Sequence, residues 1–354
     1  MQNKGLTISK KYSSCTGVAY PIEYLEKPYA ERLEPSLFVE ANGDDWEFKN
    51  DVVSCAFSLV EKVARVCYKS EDKVTHSIKD NARFLRTLIQ HQHLAMMEHA
   101  VFSFRTNSKL ARDYFIGNPF AKLWEISCAE DNCVAFLPKR YYRIELNFRA
   151  ILEAPLYASL GMRKAILDSL YFKKYGADSK EVQELGKLIL SDTMAVTITN
   201  EKTSLRGLFM RHFTILMVTD RGVSHELVRH RIASYAQEST RYCNYSGKPI
   251  KMMLPTDFEN WDENTKTQFL LGTMDSARRY TELVKMGLTP QQARAVLPNA
   301  LATSIVMTVS EQELKHIYNL RLVGTTGKPH PDMLSLMKEV YNEVPLDGGY
   351  TISL

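Results

Sequence analysis

Arg229-His230-Arg231-Ile232-Ala233-Ser234-Tyr235-Ala236-Gln237-Glu238-Ser239-Thr240-Arg241-Tyr242 is the stretch whose reading decides this chain. Three arginines, one histidine and several hydroxyls fall within it. Arginine suits phosphate because its planar fork donates two parallel charge-assisted hydrogen bonds. Ser and Thr hydroxyls, with exposed loop N–H groups, complete such an anion site. The segment Ser224–His230 is expected as a helix behind a turn at Asp220-Arg221-Gly222, with Ser234–Tyr242 as a loop following it. At about 100° per residue, Arg229 and Arg231 on a helix would point to nearly opposite sides, a layout for two ligands meeting at one helix end. The bland alternative is a solvated basic helix end, with Glu226 bridging to Arg229 and His230 one turn on. A zinc site does not fit. His225-Glu226-Leu227-Val228-Arg229-His230 is one residue longer than HExxH and puts its histidines on different faces, so no metal is expected.

Outward from this centre, Phe213–Thr219 reads as a strand. Asp275–Met286 is expected as a helix stopped by Gly287. Thr289-Pro290-Gln291-Gln292 restarts one, with a cap, proline at the first position and glutamine at the third; it ends near Leu297-Pro298. A strand at Thr303–Thr308 leads to a Ser310/Glu313 capping box and a long helix, Glu311–Leu322. Gly324–Pro331 is a loop before a last helix, Asp332–Glu343. Towards the N-terminus, apolar residues at helical spacing (Val53, Phe57, Val60, Val63, Ala64, Cys67) predict a helix over 52–67. A second helix is expected over Ile78–Gln90, with Ala82, Leu85 and Ile89 on one face, and then a strand at Ala100–Phe104. Residues 105–212 differ in texture, with helical stretches at Lys109–Phe115, Arg163–Lys174 and Ser179–Leu190 and strands at Tyr141–Leu146 and Ala195–Thr199. They read as an insertion.

The chain has 354 residues, 45% hydrophobic and 24% charged, an ordinary globular composition with room for a sizeable core. Its net charge of +4 suits small anionic ligands and gives no call for nucleic acid. The polar start and the lack of an apolar run of spanning length lead us to expect a cytoplasmic protein without a membrane contact. Six scattered cysteines without CxxC spacing are expected to be free thiols.

The pattern RHRxxSxxxxSxR, matched at Arg229, His230, Arg231, Ser234, Ser239 and Arg241, resembles the signature of flavin-dependent thymidylate synthases. The resemblance extends through Arg221–Val228, Cys243–Ser246, Ala64–Tyr68, Met97-Glu98-His99, Ala293–Asn299, Asn319-Leu320-Arg321 and His330-Pro331. It covers roughly 50–104 and 213–340, in order. It implies an α+β fold of helices packed on a mainly antiparallel sheet. The catalytic domain would span residues 50–354 after an N-terminal segment, 1–49, and carry the insertion at 105–212. It also implies a methyltransferase that converts dUMP to dTMP with FAD, methylenetetrahydrofolate and NADPH, assembled as a homotetramer. Residue by residue, it implies that Arg321 is the catalytic counter-charge to uracil N3 and O4. The dUMP contacts would be Glu226, Arg229, Gln237, Glu238, Ser239, Arg241, Arg294 and Arg321. The FAD contacts would be His93, Ala95, Arg229, His230, Arg231, Gln237, Ser310, Gln312 and His316.

Two departures stand out. Where the family has Asn-x-Arg at the start of the last catalytic helix, this chain has Ser310 and Gln312, which removes a positive charge from the flavin side. His316 and Asn319 continue a polar edge on the same stripe, and His316 lies about 140° from Arg321 around a regular helix. Cys243, two residues beyond Arg241, is expected as an inert thiol and not as a nucleophile. Two other functions compete with the leading one: C5 modification of a related pyrimidine nucleotide, such as hydroxymethylation, and a nucleic-acid-binding module using the basic run.

Overall fold

The computed structural model describes residues 6–12, 22–33, 52–74, 78–106, 126–127, 142–154, 159–164, 166–167, 180–190, 204–205 and 212–346. In chain order its elements are strands β1 (Ile22–Leu25) and β2 (Tyr29–Arg32), then helices α1 (Val52–Tyr68) and α2 (Ile78–Gln90). Strands β3 (Val101–Thr106), β4 (Ile126–Ser127) and β5 (Tyr142–Asn147) follow, then helices α3 (Phe148–Glu153) and α4 (Lys180–Leu190). Next come strands β6 (Ser204–Leu205) and β7 (His212–Asp220), helix α5 (Arg221–Leu227), and strands β8 (Ala233–Gln237) and β9 (Ile250–Met253). Helices α6 (Glu263–Lys285) and α7 (Pro290–Ala293), strand β10 (Ala302–Ser310), and helices α8 (Glu311–Tyr318) and α9 (Pro331–Glu343) complete the order. The chain divides into two units.

Unit 1 comprises residues 1–33, 65–73 and 213–354. Its main sheet runs β2-β7-β10-β8, with antiparallel pairing of β2 to β7 and of β8 to β10. β7 is apolar on both faces (Phe213, Ile215, Leu216 and Met217 are all buried), the pattern of an interior strand covered on both sides. Its core joins Ile215, Met217, Ile305, Met307 and Val309 of the sheet to Leu314, Ile317, Met333 and Leu336 of the last two helices. Each fully buried side chain of this kind contributes about 1.5–3 kcal/mol relative to exposure. A second cluster packs Tyr24, Ile250, Met252 and Leu301 against Ala277 and Tyr280 of α6. The N-terminal segment joins this unit through β1, parallel to β9, and β2.

Unit 2 comprises residues 34–64 and 74–212. Its sheet, β4-β5-β3-β6, is antiparallel throughout. Phe57, Val60 and Ala64 of α1, Leu85 of α2, and Phe102, Leu146, Phe148 and Ile151 form one core. Asn147 ends β5 and caps α3 by accepting from Ala150 N at 2.8 Å. Buried Arg163 donates to Ser159 Oγ and to the carbonyls of Leu152, Ala154 and Ile189.

The mixed helix-and-sheet class with antiparallel pairing agrees with the sequence reading. The expected helix at Ile78–Gln90 has those bounds, and β5 and α4 lie within a residue of expectation. The stretches 109–115 and 195–199 lie outside the described residues. Of 163–174, the described part is helical and begins earlier, at 159. Four boundaries move, each for a local reason. The helix expected at 224–230 is α5, because the Asp220 carboxylate caps it by accepting from Val223 N at 2.8 Å. α6 begins at Glu263, where Asp262 accepts from Asn264 N and Thr265 N; the first two turns are polar and carry no apolar period. α7 tightens after Ala293 into a 3-10 turn at Arg294–Val296. The helix expected over 311–322 is α8, which gives way after Tyr318 to a π-helical turn, Asn319–Val323, closed by Gly324 at φ +80°. The 140° separation assumed for His316 and Arg321 holds only for a regular helix and does not apply across that turn. Among the described residues, no helix is long and apolar enough to cross a membrane.

Candidate functional site

The Arg229-His230-Arg231 run is not helical. α5 ends at Leu227, and the three residues form the connection to β8, while Ser234–Gln237, expected as loop, is strand. The two-sided placement inferred from a helical wheel therefore lacks its basis. Burial separates the three instead: Arg229 and Arg231 are exposed and His230 is buried between them. Tyr235 fixes the connection by donating its hydroxyl to the carbonyls of Leu227 and His230, at 3.0 and 3.1 Å.

His230 meets Arg321 from the distant π-turn. Arg321 Nε donates to His230 Nε2 at 3.2 Å, which requires the imidazole to be neutral, with its proton on Nδ1. Burial, then the Arg321 and His316 charges, push His230 down to about 4, so it stays an acceptor at neutral pH. Arg321 Nη1 also lies 3.5 Å from Glu226 Oε2. Glu226 thus pairs with Arg321, across 95 residues of sequence, where the bland reading had it bridging to Arg229 and His230. Wrapping the π-turn brings Arg321 to the end of α5.

The turn after β8 carries the remaining residues. Glu238 is buried, accepting from Lys69 Nζ at 3.0 Å and from the Tyr245 hydroxyl at 2.6 Å. Its backbone N–H donates to Ser304 O, and that of Ser239 donates to Cys67 O, so the turn is pinned on both sides. Arg294 Nη1 donates to Thr240 Oγ1 at 3.1 Å, and Arg241 Nε to Gln291 Oε1 at 3.1 Å. Both guanidiniums are exposed, with N–H groups left over for an anion. Gln237 donates from Nε2 to Ser224 Oγ and Thr303 Oγ1.

Ser310 is buried as the α8 N-cap, its Oγ accepting from Glu313 N at 3.3 Å, while Gln312, His316 and Asn319 are exposed. His93 and Ala95 belong to unit 2, at the start of the 3-10 turn Leu94–His99, and both are exposed. Cys243 is buried; burial and the Glu238 charge push its thiol up to about 11, and burial pushes Cys67 up to about 12. A thiol held that high is protonated at neutral pH and a poor nucleophile, in keeping with the reading of Cys243 as inert.

Sequence reasoning passed over Lys69, Tyr245, Arg221, Ser224, Thr303, Thr240 and Gln291. Their partners lie on other elements, and no spacing within one element signals them. Lys69 gives no such signal either; its φ of +51°, in the turn after α1, is visible only in the structure.

Residues 52–113 and 201–345 match the model of a family described as thymidylate synthase complementing protein. The chain is 40% identical over 101 residues to a flavin-dependent thymidylate synthase of Geobacter sulfurreducens, an alignment covering 28% of this chain and 43% of that protein. It is 35% identical over 101 residues to the Pyrococcus abyssi protein of the same name, covering 28% and 41%. These alignments span about two fifths of the length of the curated relatives. A solved structure, the UMP/dUMP methylase PolB from Streptomyces cacaoi bound with 5-Br dUMP, is 18% identical over 37% of this chain and 64% of that one. Its TM-score of 0.32 is too low to carry an argument.

Proposed function

We propose that this chain, which belongs to the thymidylate synthase complementing protein family, is a flavin-dependent thymidylate synthase that methylates dUMP to dTMP. Methylenetetrahydrofolate would supply the carbon and NADPH the reducing equivalents, as the resemblance of its site motifs implies, while the names of its relatives support the flavin. The observation that carries the reading is the holding of Arg321 by a neutral, buried His230 and by Glu226, beside the exposed Arg229 and Arg231.

Uracil C5 is a weak nucleophile, and charge drawn to N3 and O4 activates it. A guanidinium already fixed in place stabilises that charge without reorganising during the reaction. Here Nε is engaged by His230 and Nη1 lies 3.5 Å from Glu226 Oε2, so Arg321 is held in place, and Nη2 is the nitrogen proposed to meet the base. Arg241 and Arg294 are steadied by Gln291 and Thr240 and supply cations for the nucleotide phosphate, with Gln237, Ser239 and Glu226 as further contacts. Arg229 and Arg231 are exposed, with no carboxylate partner among the described residues, a donor set that fits an anionic cofactor such as FAD. When bound, FAD would supply hydride chemistry; His230, Arg231, Gln312 and His316 are the residues of unit 1 proposed to hold it, and for His93 and Ala95 a flavin contact is supported by the resemblance alone. A buried, high-pKa Cys243 leaves activation to Arg321.

Residues 105–212 are proposed as an insertion in the catalytic domain, a reading supported by a family match that skips 114–200. Assembly as a homotetramer is proposed from the same resemblance, and a monomer by light scattering would refute it. The deciding experiment is product mass after incubation with dUMP, methylenetetrahydrofolate and NADPH. A methylated product and a flavin spectrum bleached by NADPH are expected. A hydroxymethylated product, or a colourless protein that binds nucleic acid, would overturn the reading.

A further inference from the structure

Gln237 sits on a closed ring of hydrogen bonds that fixes which end of its amide faces outward. Ser224 Oγ lies 2.9 Å from Arg221 O, the carbonyl three residues back on α5, and gives that carbonyl its only proton. It can therefore only accept from Gln237, and it does so at 2.8 Å. Thr303 Oγ1, on β10, accepts from Arg221 Nη1 at 3.4 Å and from Gln237 Nε2 at 3.2 Å. Arg221 is itself anchored, its backbone N–H donating to Asn299 O and Leu301 O. A guanidinium carries donors alone, so the inner wall of the ring presents acceptors to the amide. The nitrogen must face inward. A flipped amide would set its oxygen against Ser224 Oγ, whose only proton is given to Arg221 O, and would lose the 2.8 Å bond there. Oε1 makes no bond among the described residues and is the end left to a ligand. Gln237 is half-buried, with its amide nitrogen turned inward.

We infer that Ser224, Thr303 and Arg221 are positioning residues that lock Gln237 as a hydrogen-bond acceptor, so that the site selects a pyrimidine nucleotide bearing an N–H or O–H donor at that point. The inference rests on the nucleotide reading above and adds to it the polarity of one contact and the residues that set it. dUMP offers two such donors away from its phosphate, the imide N3–H and the sugar 3′-hydroxyl. Both present the same chemistry to Oε1.

The test is equilibrium titration of dUMP, N3-methyl-dUMP and 2′,3′-dideoxy-UMP against wild type, Thr303→Val, Thr303→Ser and Gln237→Met, with thermal melting to verify folding. Wild type is expected to prefer dUMP over one of the two analogues by about ten-fold, the scale of one hydrogen bond to a partly buried group. Loss with the methylated base assigns the donor to the imide, and loss with the dideoxy sugar assigns it to the hydroxyl. Thr303→Val frees the amide to rotate and Gln237→Met removes it; each should reduce the preference to about two-fold or less. Thr303→Ser, which keeps the hydroxyl, should restore it. A merely structural role would weaken all three ligands alike and leave their ratio intact. If Thr303→Val does not fold, Gln237→Met carries the same comparison. A preference that survives in the variants, or none in wild type, overturns the inference and leaves the nucleotide reading standing. Failure of wild type to bind dUMP overturns both.

Discussion

Replacing Tyr245 by Phe deletes one oxygen from the most constrained point of the turn after β8. The ring would stay in place: it packs edge-on against Tyr280 at 5.8 Å, lies under Lys69 Nζ at 4.7 Å, and is 5% exposed. The loss is then confined to the 2.6 Å hydrogen bond to Glu238 Oε1. A bond to a charged acceptor contributes about 1.5–3 kcal/mol. Lys69 still reaches the same oxygen at 3.0 Å, so the carboxylate is not stranded and the lower part of that range applies, about 2 kcal/mol. For a body of this size that corresponds to a fall in Tm of roughly 4–8 °C. Urea titration should show a lower midpoint at unchanged slope. Burial and then the Glu238 charge raise the Tyr245 phenol, so the folded protein keeps its proton where the unfolded chain releases it. The gap between wild type and variant is therefore fully present below about pH 10 and narrows above it. A Tm within about 1 °C of wild type would refute the claim that Tyr245 holds the turn.

His230, pushed down to about 4, binds no proton in the fold over a range where the unfolded chain does, so stability should fall as pH drops from about 6.5 towards 4. His230→Asn should flatten that slope in urea titrations across this window, and an unchanged slope would contradict the burial of a neutral imidazole. Cys67 and Cys243, pushed up to about 12 and about 11, should resist iodoacetamide in the native protein and react on unfolding. Cys243→Ala should keep turnover, and abolished turnover with flavin still bound would restore a thiol mechanism. Gly324 closes the Arg321 turn at φ +80°, and a Cβ there would lie 3.0 Å from Gly327 O and Pro329 Cδ. Gly324→Ala should cost roughly 1–2 kcal/mol in stability and weaken dUMP binding by displacing Arg321; wild-type values for both would show that the turn tolerates a side chain.

Caps and periodicity were legible because they are local. Pro290 with Gln292, Ser310 with Glu313, and the apolar stripe of α2 each lie within one or two turns, and the structure places helices there. The start of α6 was not legible, because its first turns rest on the Asp262 cap and on little apolar surface. The end of α5 was misplaced because periodicity runs through Val228 and His230, while the chain turns there to deliver β8 to β10.

The Arg229–Tyr242 stretch shows where sequence stops. Residue types alone determined that three arginines would carry charge and hydrogen-bond donors, since a guanidinium keeps both in any fold. Only the tertiary structure decided which of them remain available: it buries His230 as a neutral acceptor for Arg321, leaves Arg229 and Arg231 exposed, and turns Gln237 by contacts from α5 and β10. Charge and valence travel with the residue, whereas burial and hydrogen-bond direction depend on partners far along the chain, as with Lys69 on Glu238.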